Sequence, residues 1–172
     1  PGDKSISHRI LILASQTVGK SEISNLLEGE DVINTLKAMK IFGANISKKK
    51  NKYIVFGVPP GGLFQPNKPI DFGNSGTGIR LICGLIASNN IKAKLIGDES
   101  LSKRPMKRVT VHLKKIGAVI NLRKDSYPPI QIQGDGGAIP LKYNIMIPSA
   151  QIKSAIMLSA LNTKGLIEIK EF

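Results

Sequence analysis

Ile116-Gly117-Ala118-Val119-Ile120 repeats the pattern of Phe42-Gly43-Ala44-Asn45-Ile46, and an internal repeat of this kind determines the architecture of a chain. In both stretches a glycine ends a helical pattern, which predicts a left-handed helix C-cap followed by a strand. A turn and a second strand come next, Tyr53 to Gly57 in the first copy and Pro129 to Gly134 in the second. The sequence therefore predicts repeated supersecondary units.

Two helices are predicted in each copy. The helix before the glycine is amphipathic, with an apolar stripe at Val32, Leu36 and Met39 in one copy and at Met106, Val109, Leu113 and Ile116 in the other. An apolar helix and a short strand lie upstream, formed by Ile6, Ile10, Leu13 and Ala14 before Ser21–Ser24, and by Ile79, Ile82, Leu85 and Ile86 before Ile91–Leu95.

A third, shorter copy follows. Its pattern is a strand from Lys142 to Ile147, a helix with Ile152 and Ile156, and a strand from Gly165 to Lys170. The complete unit is thus strand, helix, strand, helix, strand, strand (βαβαββ). We predict an α/β lobe of such units around a pseudo-threefold axis, with copies at about 1–60, 68–135 and 140–172, the last truncated. Because the first copy lacks its opening strand, we expect 1–172 to be part of one lobe of a longer protein.

The charge balance indicates an anionic partner. The 172 residues contain 25 Lys and Arg against 12 Asp and Glu, a formal net charge of +13. Three Tyr, five Phe and no Trp are present, and no basic run alternates with them, which argues against nucleic-acid binding by base stacking. Small, multiply charged substrates account for the charge equally well.

The cellular location expected from the sequence is the cytoplasm. No apolar run approaches the ~18 residues of a membrane span, and Pro1–Lys4 has no signal-peptide character, so no membrane partner is expected. The single cysteine, Cys83, lies in an apolar run and is interpreted as a buried structural thiol.

All three copies carry distinctive polar residues at the start of a helix. These segments are Asp3–Arg9, Gly73–Arg80 and Pro148–Gln151. Helix N-termini expose unpaired N–H groups and a partial positive charge, so they are natural anion sites. If the copies pack around a threefold axis, the three helix starts converge on one pocket that favours phosphate and carboxylate, with Asp3 and Asp71 as the carboxylates near it.

Arg9, Arg80 and Gln151 are equivalent at a spacing of 71 residues. Taken singly, the polar residues have ordinary explanations, because Ser5, Asn74 and Ser149 could each be a helix N-cap. Their recurrence in three copies is what favours a functional interpretation.

Ser102–Arg108 is a further basic segment, predicted to open the fourth helix with Pro105 at its first position. Cations in a first helical turn oppose the helix dipole, so an anion contact is expected for Arg104. Lys103, Lys107 and Arg108 are interpreted as solvated.

Neither histidine supports a metal site or a catalytic triad. His8 has no Asp or Cys partner at suggestive spacing, and His112 lies within a helix. Both are interpreted as structural, and no metal or cofactor is expected.

Four segments together resemble the signatures of the 5-enolpyruvylshikimate-3-phosphate synthases, in family order and spacing. They are Pro1–Arg9, Gly73–Thr77, Gly97–Ser100 with Lys103–Met106, and Pro148–Ala155. The resemblance implies an inside-out α/β fold of two lobes, each with three βαβαββ units whose helices are buried inside sheets. It also implies transfer of the enolpyruvyl group of phosphoenolpyruvate to the 5-hydroxyl of shikimate 3-phosphate, with release of phosphate.

The resemblance assigns roles by position. The shikimate 3-phosphate side comprises Lys4, Ser5, Arg9, Ser149, Ala150 and Gln151. The phosphoenolpyruvate side comprises Lys4, Asn74, Gly76, Thr77, Arg104 and Gln151. Lys4 and Gln151 are the implied catalytic residues of this part, while the acid/base carboxylates of the family lie in the other lobe. The resemblance therefore implies that the 172 residues alone do not turn over.

Two positions depart from the family pattern. Ala150 stands where many members have serine, and Leu81 follows Arg80 where others have proline. Gly76 is the small residue that leaves room for glyphosate, so a sensitive full-length enzyme is expected, and we expect it to be a monomer.

The sequence leaves three alternatives open, one of which is a non-catalytic lobe of a larger multi-enzyme chain. UDP-N-acetylglucosamine enolpyruvyl transferases share fold and chemistry, but they place Asn after the lysine where Ser5 stands, and their loop cysteine has no counterpart near Arg104. A basic RNA-binding or RNA-processing module would also explain the charge, and its signature would be salt-dependent oligonucleotide binding.

Overall fold

The computed structural model describes residues 2–145 and 148–171, which form five α-helices, nine β-strands and one 3₁₀ turn. The helices are α1 (Lys4–Ser15), α2 (Glu30–Ile41), α3 (Gly76–Ala87), α4 (Lys107–Lys115) and α5 (Ala150–Ala160). The strands are β1 (Lys20–Ser24), β2 (Asn45–Lys49), β3 (Lys52–Phe56), β4 (Ile70–Asp71), β5 (Lys92–Ile96), β6 (Val119–Arg123), β7 (Tyr127–Gln133), β8 (Lys142–Ile145) and β9 (Glu168–Glu171). The 3₁₀ turn is Leu101–Lys103.

The strands form three separate sheets, and each sheet belongs to one copy of the repeat. The first has the order β1-β3-β2 and is antiparallel, the second has the order β4-β5-β7-β6, and the third pairs β8 with β9 in parallel. In the second sheet, β4 and β5 are parallel and the other pairs antiparallel. The second copy therefore contains the full βαβαββ order. The third strand pair, β8 with β9, corresponds to β4 with β5.

The two strands of the third copy differ from their predicted bounds by a few residues. The strand predicted from Lys142 to Ile147 is described as far as Ile145, and Met146 and Ile147 lie outside the described residues. The strand predicted from Gly165 begins later, at Glu168.

The glycines that close the second helix of each copy have the predicted left-handed backbone. Gly43 has φ +104° and Gly117 has φ +107°. The next amide in each case returns to the helix, from Ala44 N–H to the Met39 carbonyl at 3.0 Å and from Ala118 N–H to the Leu113 carbonyl at 3.2 Å. The repeated Gly-Ala pair thus leads the backbone from helix to strand in the same way in both copies.

The helices occupy the interior, with the sheets around them. α3 is the most deeply buried helix, since its Ile79, Leu81, Ile82 and Ile86 are fully enclosed. α2 packs between α1 and α3, and α4 packs between α3 and α5. α3 also packs directly on α5, where Gly84 lies against the backbone of Ala155. Because α3 contacts both α1 and α5, the three helices that begin a copy lie close together.

Of the four apolar residues by which α1 is recognised, Ala14 is buried in the core and the other three are partly or largely exposed. Ile6, Ile10 and Leu13 are 67%, 38% and 44% exposed, while Leu11 and Ile12 are fully buried. A groove of about 290 Å³ runs beside Leu13 and the exposed face of α5. In the described residues no second helix of the third copy covers this groove, whereas α2 and α4 cover the equivalent surfaces of the other copies.

Candidate functional site

The three helix starts have side-chain caps, but not all of the caps that the sequence suggests. Asp3 Oδ1 accepts from Ile6 N–H at 2.8 Å, Ser75 Oγ from Gly78 N–H at 3.1 Å, and Ser149 Oγ from Ile152 N–H at 3.4 Å. Ser149 is therefore a cap, as considered above. Ser5 and Asn74 are not, because each lies one or more residues from the residue that makes the cap bond.

Gln151 joins the start of α5 to the start of α3. Its Nε2 donates to Thr77 Oγ1 at 3.0 Å, and its Oε1 accepts from Arg80 Nη1 at 3.0 Å. Two of the three residues spaced by 71 are therefore in direct contact.

Asn74 and Arg104 form the second part of the site. Arg104 Nη2 donates to Asn74 Oδ1 and lies 3.4 Å from Ser100 Oγ. Gly76 is buried beneath the two arginines, and a methyl group at this position would lie 3.1 Å from Arg104 Nη1 and 3.2 Å from Arg80 Nη1. Glycine is thus the residue that fits under these guanidinium groups.

The prediction that Pro105 is the first residue of the fourth helix is wrong. α4 begins at Lys107, and Met106 stands at its N-cap. Arg104 is extended (φ −86°, ψ 130°), as is favoured for a residue before proline, and the Pro105 carbonyl accepts from Arg80 Nη2 at 3.1 Å. Proline therefore directs Arg104 toward Asn74.

The neighbouring cations divide into solvated and site-lining groups. Lys103 pairs with Glu99 and Lys107 with Asp125, all four with largely exposed side chains. Arg108 is exposed as well, but it also lines the cavity beside Arg80.

Arg9 joins the start of α1 to α5. Its Nε and Nη2 donate to Ser154 Oγ at 3.1 and 2.8 Å, and its Nη2 lies 3.4 Å from the Ala150 carbonyl. Its Nη1 donates back to the Ser5 carbonyl at 2.9 Å. The hydroxyl of Ser5 is on the exposed surface beside this contact.

Lys4 has a carboxylate partner that the sequence analysis did not identify. Its ammonium pairs with Asp31 in the first turn of α2, and the side chains are 51% and 23% exposed. The two carboxylates expected near the pocket have other roles, because Asp3 caps α1 and Asp71 Oδ1 accepts from Gly73 N–H at 2.8 Å. Lys4 thus connects the start of α1 to the first turn of α2.

Lysine and arginine behave differently in this molecule. Across residues 2–145 and 148–171, every side-chain ion pair within 4 Å has lysine as its cation, as for Lys4, Lys20 and Lys48. The arginines at the helix starts instead donate to carbonyls, hydroxyls and amides. Burial lowers the pKa of Arg80, and the nearby positive charges of Arg104 and Arg108 lower it further. The site therefore carries positive charge without a neutralising carboxylate on its arginines.

Two cavities flank these arginines. One of about 100 Å³ lies between the starts of α4 and α5 and is lined by Arg80, Arg108, Val109, Ser149, Gln151 and Ile152. A wider depression of about 610 Å³ is lined by Asp98, Glu99, Ser100, Lys103 and Arg104. The smaller cavity therefore lies beside the Arg80–Gln151 contact, and the wider depression lies beside Arg104.

Cys83 and the histidines have structural surroundings. Cys83 is fully buried, and burial raises the pKa of its thiol to about 12, so it is not a thiolate nucleophile. His8 is fully buried with Nδ1 at 2.8 Å from Thr35 Oγ1, and burial lowers its pKa to about 4. Burial also lowers the pKa of His112.

Two other features are absent from residues 2–145 and 148–171. These residues contain no group of three or more His, Cys, Asp or Glu side chains placed to hold a metal ion. Within the same ranges, no helix has both the length and the apolar composition needed to cross a bilayer.

Most residues that meet at these helix starts are among those predicted from the sequence, but the roles of three were not predicted. Arg80 was recognised only as an equivalent of Arg9, and Asp31 and Ser154 were not singled out. The spacing of 71 was the available signal for Arg80, since it aligned that residue with Gln151. No local pattern marks Asp31, and Ser154 lies within Pro148–Ala155 without being distinguished from its neighbours there. Both roles arise from packing between helices.

Comparisons with known proteins agree with one another. The chain is 46% identical over 172 residues to the 3-phosphoshikimate 1-carboxyvinyltransferase of Parvibaculum lavamentivorans and 50% identical over 166 residues to that of a Ruegeria species. The alignments cover 99% and 96% of this chain, but only 38% and 37% of those relatives. Neither relative favours the UDP-N-acetylglucosamine or RNA-binding alternatives.

Solved structures and a family model give the same answer. An EPSP synthase structure from Acinetobacter baumannii superposes with a TM-score of 0.94 at 36% identity, over 99% of this chain and 39% of that one. The predicted enolpyruvyl transferase fold is thereby confirmed. The family model described as EPSP synthase (3-phosphoshikimate 1-carboxyvinyltransferase) matches residues 1–172. From one end to the other, then, the chain belongs to the EPSP synthase family.

Proposed function

We propose that this chain is part of one lobe of a two-lobe enzyme that transfers the carboxyvinyl group of phosphoenolpyruvate to the 5-hydroxyl of shikimate 3-phosphate and releases phosphate. The three copies at about 1–60, 68–135 and 140–172 would make up this part of the lobe. Since the chain spans 38% of the length of its relative from Parvibaculum, the remaining catalytic groups would come from elsewhere in the full-length protein.

The observation that carries the proposal is the unneutralised positive charge at converging helix starts. Arg9 contacts α5 from one side and Arg80 from the other, and Arg104 lies above Gly76. Phosphate esters carry roughly −1.5 to −2 charges near neutral pH, so two such substrates repel each other unless cations separate and screen them. Arginine forks and helix N–H groups are the donors that bind phosphate and carboxylate best.

The shikimate 3-phosphate side would be formed by α1 and α5. Arg9 already holds both helices together, and one of its donors is available to the carboxylate of shikimate. Ser149 lines the smaller cavity, and its hydroxyl would contact the 3-phosphate. Ala150 supplies only its main chain, since it lacks a hydroxyl. Lys4 and Ser5 lie exposed at the start of α1 and would complete this side.

The phosphoenolpyruvate side would be formed by α3 and the segment before α4. Arg104 would bind the phosphate, and Asn74 orients Arg104 through its carboxamide oxygen. Gly76 keeps the floor flat beneath the guanidinium, and Thr77 holds the amide of Gln151. Gln151 and Lys4 would lie between the two substrates.

The chemistry is addition followed by elimination. A proton adds to the methylene carbon of phosphoenolpyruvate while the 5-hydroxyl oxygen bonds to C2 and loses its proton, which gives a tetrahedral intermediate. Loss of a proton from the methyl group and departure of phosphate from C2 then leave the enol ether. The residues of this chain act by holding the two anions in contact and stabilising their charge, and carboxylates outside this chain would move the protons. The cytoplasmic location, the monomeric state and the sensitivity to glyphosate remain predictions.

Two measurements test the proposal. In the full-length protein, phosphate release should require both shikimate 3-phosphate and phosphoenolpyruvate, and Arg104→Met should reduce kcat/KM by about 100-fold, as expected for loss of a charge-stabilising donor. The isolated 172 residues should bind shikimate 3-phosphate in a calorimetric titration without any turnover.

Competitors decide between the rival functions. UDP-N-acetylglucosamine and a mixed-sequence RNA oligonucleotide are offered in place of shikimate 3-phosphate at matched salt concentrations. Phosphate release with the nucleotide sugar, or RNA binding tighter than shikimate 3-phosphate binding, would overturn the proposal. Turnover by the isolated 172 residues at the full-length rate would overturn the division between two lobes.

A further inference from the structure

Arg80 connects three elements through one side chain. Its Nη1 donates to the Gly76 carbonyl at 3.1 Å in the first turn of α3, and its Nη2 donates to the Pro105 carbonyl at 3.1 Å before α4. Its remaining contact, at 3.0 Å, is from Nη1 to Gln151 Oε1 at the start of α5.

The two carbonyl contacts fix the guanidinium independently of Gln151. Main-chain carbonyls of Gly76 and Pro105 cannot rotate away, and the guanidinium is planar, so two anchored donors define its plane. The contacts with Gly76 and Gln151 are partly buried, which strengthens these two hydrogen bonds, while the contact with Pro105 is exposed. The donor that faces Gln151 is therefore held in one direction.

The equivalent arginine in the first copy is used differently. Arg9 makes the same contact with the first turn of its own helix, to the Ser5 carbonyl at 2.9 Å. Its other donors reach the Ser154 hydroxyl and the Ala150 carbonyl on α5, and not the amide of Gln151. Of these two arginines, Arg80 is the one that contacts the Gln151 carboxamide. Because an arginine donates and cannot accept, this contact selects the oxygen of the carboxamide and not its nitrogen.

We propose that Arg80 is a positioning residue that holds the Gln151 carboxamide in the orientation needed for enolpyruvyl transfer. This inference rests on the proposed function. With Oε1 held by Arg80, the amide nitrogen of Gln151 points to Thr77 Oγ1 at 3.0 Å and the carboxamide cannot turn over. Without Arg80, the carboxamide has one fixed contact instead of two, and its position relative to the reacting carbon is no longer defined.

A double-mutant cycle on the full-length protein tests the inference. Arg80→Met is made alone and together with Gln151→Ala, and kcat, KM and melting temperature are measured for each variant. Because misplacement of a positioned group by about 1 Å costs on the order of 100-fold, Arg80→Met should lower kcat by about that factor. In the Gln151→Ala background the same substitution should lower kcat by less than about threefold, since the group that it positions is already absent.

The outcomes separate this inference from the proposed function. Absence of enolpyruvyl transfer by the wild-type protein would remove the proposed function itself. If the wild type is active and the two effects multiply, Arg80 does not act through Gln151 and only the inference is overturned. A fall in kcat that merely follows a lower melting temperature would also overturn it.

Matched variants guard against an effect of charge or folding. Lys94→Met removes one positive charge from the exposed face of β5 and should leave kcat within about twofold, as for an ordinary surface substitution. Arg80→Lys keeps the charge but loses the planar fork, so it should recover only part of kcat. If neither Arg80 variant folds, the role of Arg80 is structural and the inference fails.

Discussion

Helices α1 and α3 begin equivalent copies of one repeat, yet they have different neighbours and different roles. At the position where α3 has Gly84, α1 has Leu13, and where α3 has Ile79, α1 has His8. α3 is pressed against α5 and almost wholly enclosed, whereas one face of α1 is open. The difference indicates that a repeat fixes the backbone path of each helix, while single residues at equivalent positions decide which helix packs tightly and which stays accessible to ligands.

The first prediction, with the largest expected effect, adds a side chain to α3 where this helix contacts α5. A methyl group at Gly84 would overlap the Ala155 carbonyl and lie 2.7 Å from Ala155 Cα. Backbone atoms cannot move aside as a flexible side chain can, so Gly84→Ala should lower the free energy of unfolding by about 3 kcal/mol. This loss exceeds the gain of about 1 kcal/mol that alanine gives in a helix. Urea denaturation measures it.

The equivalent change in α1 is the control. Leu13 is 44% exposed, so Leu13→Ala should cost about 1 kcal/mol, part of the value of a fully buried leucine. A loss of about 3 kcal/mol in Leu13→Ala, typical of a fully buried leucine, would show that this face of α1 is packed as closely as α3.

The second prediction uses the position where α1 has His8 and α3 has Ile79. Burial is the main reason that the pKa of His8 falls from 6.5 to about 4, with Asp31 opposing the shift and Lys4 and Arg9 adding to it. The unfolded chain takes up the proton near pH 6.5 and the folded chain only near 4. Stability should therefore fall with decreasing pH inside this window, by up to about 1.4 kcal/mol per pH unit.

His8→Gln isolates this contribution from that of the carboxylates. Glutamine can keep the hydrogen bond to Thr35 but does not titrate, so the variant should lose less stability between pH 6.5 and 4 than the wild type does. Identical slopes for the two proteins, measured by urea denaturation at each pH, would mean that His8 is protonated in the folded state.

Much of this organisation could be read from the sequence, because it depends on periodicity. The Gly-Ala pairs at Gly43 and Gly117 predicted both the helix ends and the strands that follow, and the spacing of 71 predicted that the helix starts are equivalent. What could not be read depends on approach between elements. Nothing local distinguishes Gly84 as a contact with α5 from a glycine that merely weakens a helix.

The site was predictable in composition and less so in pairing. The cationic and hydroxyl residues at the helix starts were identified, but their partners depend on the distances between helices. Asp31 meets Lys4 only because α2 packs beside α1. The start of α4 was misplaced because Pro105 fits the first position of a helix, while its carbonyl is in fact used by Arg80 and its ring keeps Arg104 extended.

The third prediction concerns the first turn of α3. Gly76 in α3 lies beneath two arginines, and a methyl group there would be 3.1 and 3.2 Å from them. The guanidinium groups can shift by a few tenths of an ångström, at a cost of about 1–2 kcal/mol. Gly76→Ala should therefore raise KM for phosphoenolpyruvate by about tenfold, which corresponds to about 1.4 kcal/mol, with little change in melting temperature.

Gly137→Ala is the matched control, because no atom lies within 4 Å of a methyl group at that position. It should leave KM unchanged. An unaltered KM in Gly76→Ala would mean that the floor of the site has more room than these distances allow.

The smallest effect is expected at the open end of α1, where Lys4 pairs with Asp31. Both side chains are partly exposed, so the pair is worth at most about 1 kcal/mol, and Asp31→Asn should change stability by about 0.5 kcal/mol or less. Its effect on binding should have the opposite sign, because the released ammonium becomes available to an anion. We expect shikimate 3-phosphate to bind about twofold more tightly at low salt, a gain that shrinks as added salt screens the charges.

Glu22→Gln is the control for net charge, because it removes the same charge from β1, where Glu22 pairs with Lys20 and Lys52. If calorimetry finds the same gain in both variants, the general field of the protein and not the release of Lys4 is responsible, and the first turn of α1 is no more accessible to substrate than that of α3.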